Sequence, residues 1–259
     1  MLVFPEINPI LLQLGPITIY WYGVLYLLGF VGGIGLCKWR VQHNHNNHDI
    51  YDICFYMALG IIFGGRVGMV FYNSELLWQD PLSLLQFWLP GRSFHGGLLG
   101  VILALYLYSK KHRCEFWQVT DFIAPVVPFA IICGRMGNFI NGELWGRVTS
   151  VPWAMVFPHV DALGRHPSQL YELFLEGIVL FIVLWHYSAE KRRLGQISGL
   201  FILLYGIFRV IIEFFREPDL GVGFILGNNI TMGQLLSVPM ILLGIWLYIR
   251  KESKICNNI

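Results

Sequence analysis

Gly134-Arg135-Met136-Gly137-Asn138-Phe139-Ile140-Asn141-Gly142-Glu143-Leu144-Trp145-Gly146-Arg147 closes an apolar run that begins near residue 119 and is long enough to cross a bilayer. The stretch sets a guanidinium and two side-chain amides where hydrocarbon disfavours them. An arginine within a transmembrane helix costs about 3 kcal/mol by insertion scales, so it faces a bundle interior and a partner. The partner of Arg135 is therefore the question on which function turns.

The rest of the chain reads the same way. Its 259 residues are 56% hydrophobic and 13% charged, with a mean hydropathy of +0.58, too little polar surface to clothe a water-soluble globule. Apolar runs at roughly 17–37, 51–73, 94–109, 119–141, 170–187, 196–215 and 233–249 predict an all-α membrane protein, a polytopic bundle of seven transmembrane helices in a single domain, 1–259. The third, fifth and seventh runs are short, and each is expected to extend by a turn or to sit in thinned bilayer. The net charge of +2 and the short basic groups give no stripe for nucleic acid, which is not expected as a partner.

Lysine and arginine set the orientation. One set of connections carries Lys38, Arg40, Lys110, Lys111, Arg113, Lys191, Arg192, Arg193, Arg250, Lys251 and Lys254; the other carries only Arg92, Arg147, Arg165 and Arg216, and Arg66, Arg135 and Arg209 lie within spans. The N-terminus is expected outside and the C-terminus inside. Residues 1–20 hold no Lys or Arg, but Glu6 and three prolines, so a retained N-terminus is expected rather than a cleaved signal peptide.

Cys37, Cys54 and Cys114 fall at inner helix ends, Cys256 in the inner tail and Cys133 within a span, so no disulfide framework is expected. His43, His45 and His48 read as a solvated inner loop rather than a metal site. Glycines four apart, at 29 and 33, at 60, 64 and 68, and at 96 and 100, allow close helix approach in lipid.

With that orientation the unusual polar residues gather in the outer half. His95 opens the third span; Arg135, Asn138 and Asn141 close the fourth, followed by Glu143 and Arg147; Tyr205, Arg209 and Glu213 form a stripe four residues apart on the sixth, ending near Arg216. Tyr22 lies near the outer start of the first span and Arg66 in the second. Arg209 and Glu213 also fit mutual neutralisation at i, i+4, and Tyr22 and Tyr205 also fit an interfacial aromatic belt. Arg66 suits a structural partner as well as a ligand. Glu172 and Glu176 at the start of the fifth span read as helix packing or a polar bridge. His166, Ser168 and Gln169 lack the nucleophile elbow of a serine hydrolase. Guanidinium gives phosphate permanently charged, bidentate hydrogen bonds, so arginines at headgroup depth point to an anionic phospholipid.

At these residues the chain resembles the phosphatidylglycerol:prolipoprotein diacylglyceryl transferases. The resemblance runs through Phe4-Pro5-Glu6, Trp21-Tyr22-Gly23, Phe94 to Gly97, Gly134 to Arg147, Arg165-His166-Pro167-Ser168-Gln169-Leu170-Tyr171-Glu172, Tyr205-Gly206 with Arg209, and Glu213-Phe214-Phe215-Arg216 with Pro218-Asp219. The segment between Trp153 and Arg165 is short beside longer members. The resemblance implies a multi-pass protein of the bacterial inner membrane with its site on the periplasmic side. It implies two substrates, phosphatidylglycerol and a prolipoprotein signal peptide with its lipobox cysteine. The cysteine sulfur takes the diacylglyceryl group as a thioether and glycerol-1-phosphate leaves.

A thiol of pKa about 8.5 reacts as its thiolate, so a base is required, and His95 is the candidate. Arg135, with Asn138 as neutral donor, would hold the phosphate, with Arg209 as second cation. Glu213 would orient Arg209, Tyr22 and Tyr205 would hydrogen-bond headgroup or substrate, Glu143 would position the Arg135 segment or Arg147, and Gly146 of the same signature belongs to the lipid-binding set. No metal or organic cofactor is implied. A polytopic transporter or receptor for an anionic ligand is the rival reading; it predicts polar residues through the full membrane depth.

Overall fold

The computed structural model describes residues 2–44, 49–72, 82, 93–218, 223–226 and 230–250. His45, His48, Arg92, Asp219, Lys251, Lys254 and Cys256 lie outside them. Two compact units are present, Met1–Leu36 with Ile123–Ile259, and Cys37–Phe122.

In the first unit, strand β1 (Leu2–Val3) precedes a hairpin of β2 (Ile10–Leu14) and β3 (Ile17–Tyr20), whose turn is made possible by Gly15 at φ +57°. Helix α1 (Trp21–Asn44) therefore starts at Trp21 and not near residue 17, because Ile17-Thr18-Ile19 favours an extended chain and pairs with β2. The second unit holds α2 (Ile50–Tyr72), α3 (Phe94–Lys111) and most of α4 (Phe116–Ile123). The expected continuous span over 119–141 is broken at 124–126, where Pro125 cannot continue a helix, and resumes as α5 (Val127–Ile140) with Pro128 in its first turn.

Beyond α5, β4 (Met155–Val156) and β5 (Gly164–Arg165) complete a three-stranded sheet in the order β1-β4-β5, over a small core of Phe4, Met155 and Phe157. Next come α6 (Ser168–Glu172), a π-helical stretch over Leu173–Val179, and α7 (Leu180–Tyr187), which together make one long apolar helix. Helix α8 (Gln196–Glu213), strands β6 (Phe224–Leu226) and β7 (Ile230–Thr231) and helix α9 (Met232–Ile249) complete the described chain. Thr231 and Gln234 form a capping box that starts α9.

The chain is mostly helical, and the short strands are an addition that the all-helical expectation omits. Among the described residues five helices are long and apolar enough to cross a membrane: Trp21–His43, Ile50–Val70, Ser168–Tyr187, Gln196–Glu213 and Met232–Ile249. There are six if α4 and α5 form one span. Helix α3 falls outside this set because His95, three glycines and two terminal lysines dilute its apolar residues. Large apolar side chains are exposed along every long helix, among them Leu27 and Val31, Phe55 and Phe63, Leu99 and Leu103, and Leu242 and Trp246, as lipid requires and water forbids. The chain is a multi-pass membrane protein.

Glycine sets how closely the helices approach. In the second unit a Cβ on Gly60 would stand 2.5 Å from the Gly100 carbonyl oxygen, and one on Gly68 would stand 2.7 Å from Gly96 Cα, so α2 and α3 touch backbone to backbone. Ser93 caps α3 by accepting from Gly96 N at 3.2 Å. The far end is closed by Asp52, which meets His112 at 2.6 Å and Lys111 at 3.3 Å. In the first unit Gly29 lets α1 approach Ala130 of α5, and Gly244 lets α9 approach Leu203 of α8. Cys37, Cys54, Cys114 and Cys133 are free thiols.

Candidate functional site

Three elements of the first unit bring the polar side chains together. The last turns of α5 carry Arg135 and Asn138; α6 and the π-helical stretch after it carry Glu172 and Glu176; α8 carries Tyr205, Arg209 and Glu213. The π geometry coincides with a close approach, since a Cβ on Gly177 would lie 2.5 Å from Ile132 of α5. Widened turns of this kind occur mostly at functional sites.

Glu172 is the hub. Its Oε2 meets Arg135 Nε at 3.0 Å, and its Oε1 accepts from Arg209 Nη1 at 2.7 Å and from Arg216 Nη1 at 3.1 Å. Glu176 meets Arg135 Nη2 at 3.3 Å through Oε2, with Arg209 Nη1 3.7 Å from its other oxygen. Arg209 Nη2 also donates to Glu213 Oε1. Glu172 and Glu176 are fully buried, whereas Arg135 keeps 19% and Arg209 15% of its side chain exposed. The carboxylates are thus sealed, and the two arginine side chains above them are the members of the cluster that keep some exposed surface. Tyr205 lies within electrostatic reach of Glu176, Arg135 and Arg209.

A second polar chain leads away from Arg135. Its Nη1 donates to Asn138 Oδ1 at 3.4 Å, Asn138 Nδ2 donates to Glu143 Oε1 at 2.8 Å, and Asn141 Nδ2 reaches the same oxygen at 3.3 Å. Glu143 is presented by a tightly held loop. Leu144 adopts φ +59°, a conformation costing a branched residue about 1–2 kcal/mol. It is pinned by Ser168 Oγ donating to the Leu144 carbonyl at 2.7 Å and Gln169 Nε2 donating to the Glu143 carbonyl at 2.5 Å. Gly146 follows in a bridge with Arg216, and a Cβ there would stand 2.5 Å from the carbonyl oxygens of both His166 and Phe215. Arg147 ties the loop to the end of α8, donating to the carbonyls of Arg216 and Glu213 at 3.0 Å each.

Tyr22 packs against the same helix: its ring lies 2.8 Å from where a Gly137 Cβ would be, and its hydroxyl donates to Tyr26 at 3.1 Å. A cavity of about 630 Å³ opens beside it, lined by Thr18, Ile19, Tyr20, Tyr22, Gly23, Val24, Leu27 and Asn141. In the adjoining loop Arg165 grips Asp161 at 2.6 Å, which holds that carboxyl below its ordinary range, and burial pushes the His166 imidazole down.

The structure gathers Arg135, Asn138, Glu143, Arg209 and Glu213 of the expected site into one network, with Tyr205 in electrostatic reach, Tyr22 against the same helix and Gly146 in the adjoining loop. His95 belongs to the other unit, where it is exposed in the first turn of α3 beside Phe94, and Arg66 is buried on α2. Sequence reasoning read Glu172 and Glu176 as helix packing or a polar bridge; they form a bridge, and they are the direct partners of both arginines, which the sequence did not name. Two glutamates four apart at the head of an apolar helix were the available signal. Chemically the network offers two guanidinium groups from different helices, a neutral amide and a buried acid floor, a constellation suited to an oxyanion.

A family model described as Prolipoprotein diacylglyceryl transferase matches residues 9–250. The chain is 52% identical over 256 residues to a phosphatidylglycerol–prolipoprotein diacylglyceryl transferase of Legionella pneumophila strain Philadelphia 1, covering 97% of this chain and 100% of the relative. It is 53% identical over 247 residues to the protein of that name from Chromohalobacter salexigens, covering 95% and 92%. To that of Methylobacillus flagellatus it is 49% identical over 257 residues, covering 96% and 98%. On a match spanning nearly its whole length, the chain belongs to the prolipoprotein diacylglyceryl transferase family and is a membrane-embedded transferase.

Proposed function

We propose that the protein transfers the diacylglyceryl group of phosphatidylglycerol to the lipobox cysteine of prolipoproteins. The cysteine thiolate attacks the diacylglycerol carbon that bears the phosphate ester. A carbon–sulfur bond forms as the carbon–oxygen bond breaks, and the electron pair leaves with glycerol-1-phosphate. The observation that carries the reading is the convergence of Arg135 and Arg209, from two different apolar helices, on one buried carboxylate, with part of each arginine side chain still exposed. Neither helix needs such a pair to span lipid, and a phosphate ester is the oxyanion that this family's substrate supplies.

In this reading Arg135 and Arg209 hold the phosphate, Asn138 adds a neutral donor, and Glu213 fixes the Arg209 fork. Glu143 holds Asn138, Gly146 lets the signature loop close on α8, and Tyr22 and Tyr205 bond to substrate. His95 takes the thiol proton. The mostly apolar cavity beside Tyr22 suits a lipidic neighbour of the headgroup. The chain forms one functional domain of seven spans in the bacterial inner membrane, with the N-terminus and this site on the periplasmic side and the C-terminus in the cytoplasm. The lysine and arginine bias supports that orientation.

The test is direct. Purified protein is incubated with labelled phosphatidylglycerol and a lipobox peptide. The expected product is a thioether-linked diacylglyceryl peptide with release of glycerol phosphate, and its absence beside an active family member would falsify the proposal.

A further inference from the structure

The buried ion cluster is electrically balanced before any lipid arrives. Arg135, Arg209 and Arg216 face Glu172, Glu176 and Glu213, and the flanking Arg147 and Glu143 extend the balance without changing it. A bound phosphodiester adds one negative charge to a neutral, largely desolvated site, which low-dielectric surroundings strongly disfavour. A proton taken up by one carboxylate removes the imbalance.

The geometry identifies that carboxylate. Glu172 faces three arginines: its Oε1 accepts from Arg209 and Arg216, and its Oε2, which accepts no hydrogen bond among the described residues, lies 3.0 Å from Arg135 Nε; Glu213 is bonded by Arg209, and Glu143 takes two amides. Glu176 is held least. It is fully buried, one oxygen meets Arg135 Nη2 at 3.3 Å, and the other accepts no hydrogen bond among the described residues, with Arg209 Nη1 3.7 Å away. Its charged and titratable surroundings are Arg135 from α5, Glu172 on its own helix, and Tyr205 and Arg209 from α8, while the first turns of α7 bring only apolar side chains. Once phosphate oxygens occupy the Arg135 and Arg209 forks, Glu176 loses both cations and is left beside two anions, Glu172 and the phosphate.

We propose that Glu176 takes up a proton when the phosphodiester of an anionic phospholipid binds the Arg135–Arg209 pair, so that lipid affinity is coupled to pH. The inference rests on the proposed function and adds to it the protonation state of the lipid complex. The bound state then holds one more proton than the free state, so affinity is greatest at low pH and weakens as pH rises. Where a full proton is exchanged, the weakening is about tenfold per pH unit. Glu176 acts through the two arginines and is a positioning residue.

Calorimetric titration of the full chain in detergent with a short-chain phosphatidylglycerol, in buffers of differing ionisation enthalpy across roughly pH 5 to 9, reads the proton directly. We expect uptake approaching one proton per lipid and a protonated-carboxyl infrared band that grows on binding. Glu176→Gln should bind with no uptake and a flat pH profile at the tight, low-pH end of the wild-type range. Wild-type binding without proton uptake or infrared band overturns the inference, as does Glu176→Gln retaining the wild-type slope. Both wild-type readouts decide the matter even if the variant does not fold. Absence of binding at every pH overturns the proposed function together with this inference, whereas pH-independent binding overturns only the role of Glu176.

Discussion

At Gly146 only a hydrogen fits: two backbone carbonyl oxygens stand 2.5 Å from where a Cβ would lie, and neither can turn aside as a flexible side chain would. Gly146→Ala should therefore push the signature loop off α8 and lower stability by about 1–3 kcal/mol, measured as unfolding in detergent, with lipid transfer falling further because Glu143 sits in the same loop. Stability equal to wild type would sink this. Arg135→Lys tests the neighbouring fork: lysine keeps the charge but cannot serve Glu172, Glu176 and Asn138 together. Lipid affinity should drop about tenfold or more, the worth of roughly one charge-assisted hydrogen bond, with the fold retained. Arg135 was legible because an arginine in an apolar run is costly on its face. Glu172 and Glu176 were legible as packing or a polar bridge but not as partners of these arginines, because the partners lie 33 to 44 residues away in sequence, and an i, i+4 pair of glutamates looks the same whether it faces lysines on its own helix or arginines on others.

Among the elements, the helices were the readable part and their interruptions were not. The run over 119–141 gave no sign in hydropathy that Pro125 would split it, and the π-helical stretch coincides with the close approach of Gly177 to Ile132, a tertiary contact that hydropathy does not register. The glycine spacing did announce a close approach, and α2 with α3 supplies it. Gly100→Val should force these helices apart, because the new side chain meets the Gly60 carbonyl and the Gly64 backbone rather than a side chain that can move. The cost should be about 1–3 kcal/mol or more, read as a lowered thermal midpoint. Activity should fall with it, since α3 also carries His95. An unchanged midpoint would show that α3 packs elsewhere.

On the scale of the whole molecule, the proposed sidedness rests on an asymmetry of basic residues. The loop with Lys191, Arg192 and Arg193 shows one end of it: Arg192 bonds the Tyr187 carbonyl and pairs with Glu190 at 2.7 Å, and Arg193 bonds the carbonyls of Tyr248 and Arg250, so these cations cap helix ends. Held at the ends of α7 and α9, they count toward the positive-inside bias, and with Lys191 they outnumber Arg147 and Arg165 at the signature loop. The two ends of the first unit should therefore face opposite compartments. In a chain whose native cysteines are replaced by alanine, Leu163→Cys, exposed in the loop just before β5, should react with a membrane-impermeant maleimide in intact spheroplasts. Lys191→Cys should react only after permeabilisation. The reverse pattern would place the arginine network on the cytoplasmic side, out of reach of a cysteine presented to the periplasm, and the orientation of the proposed site would have to be inverted with it.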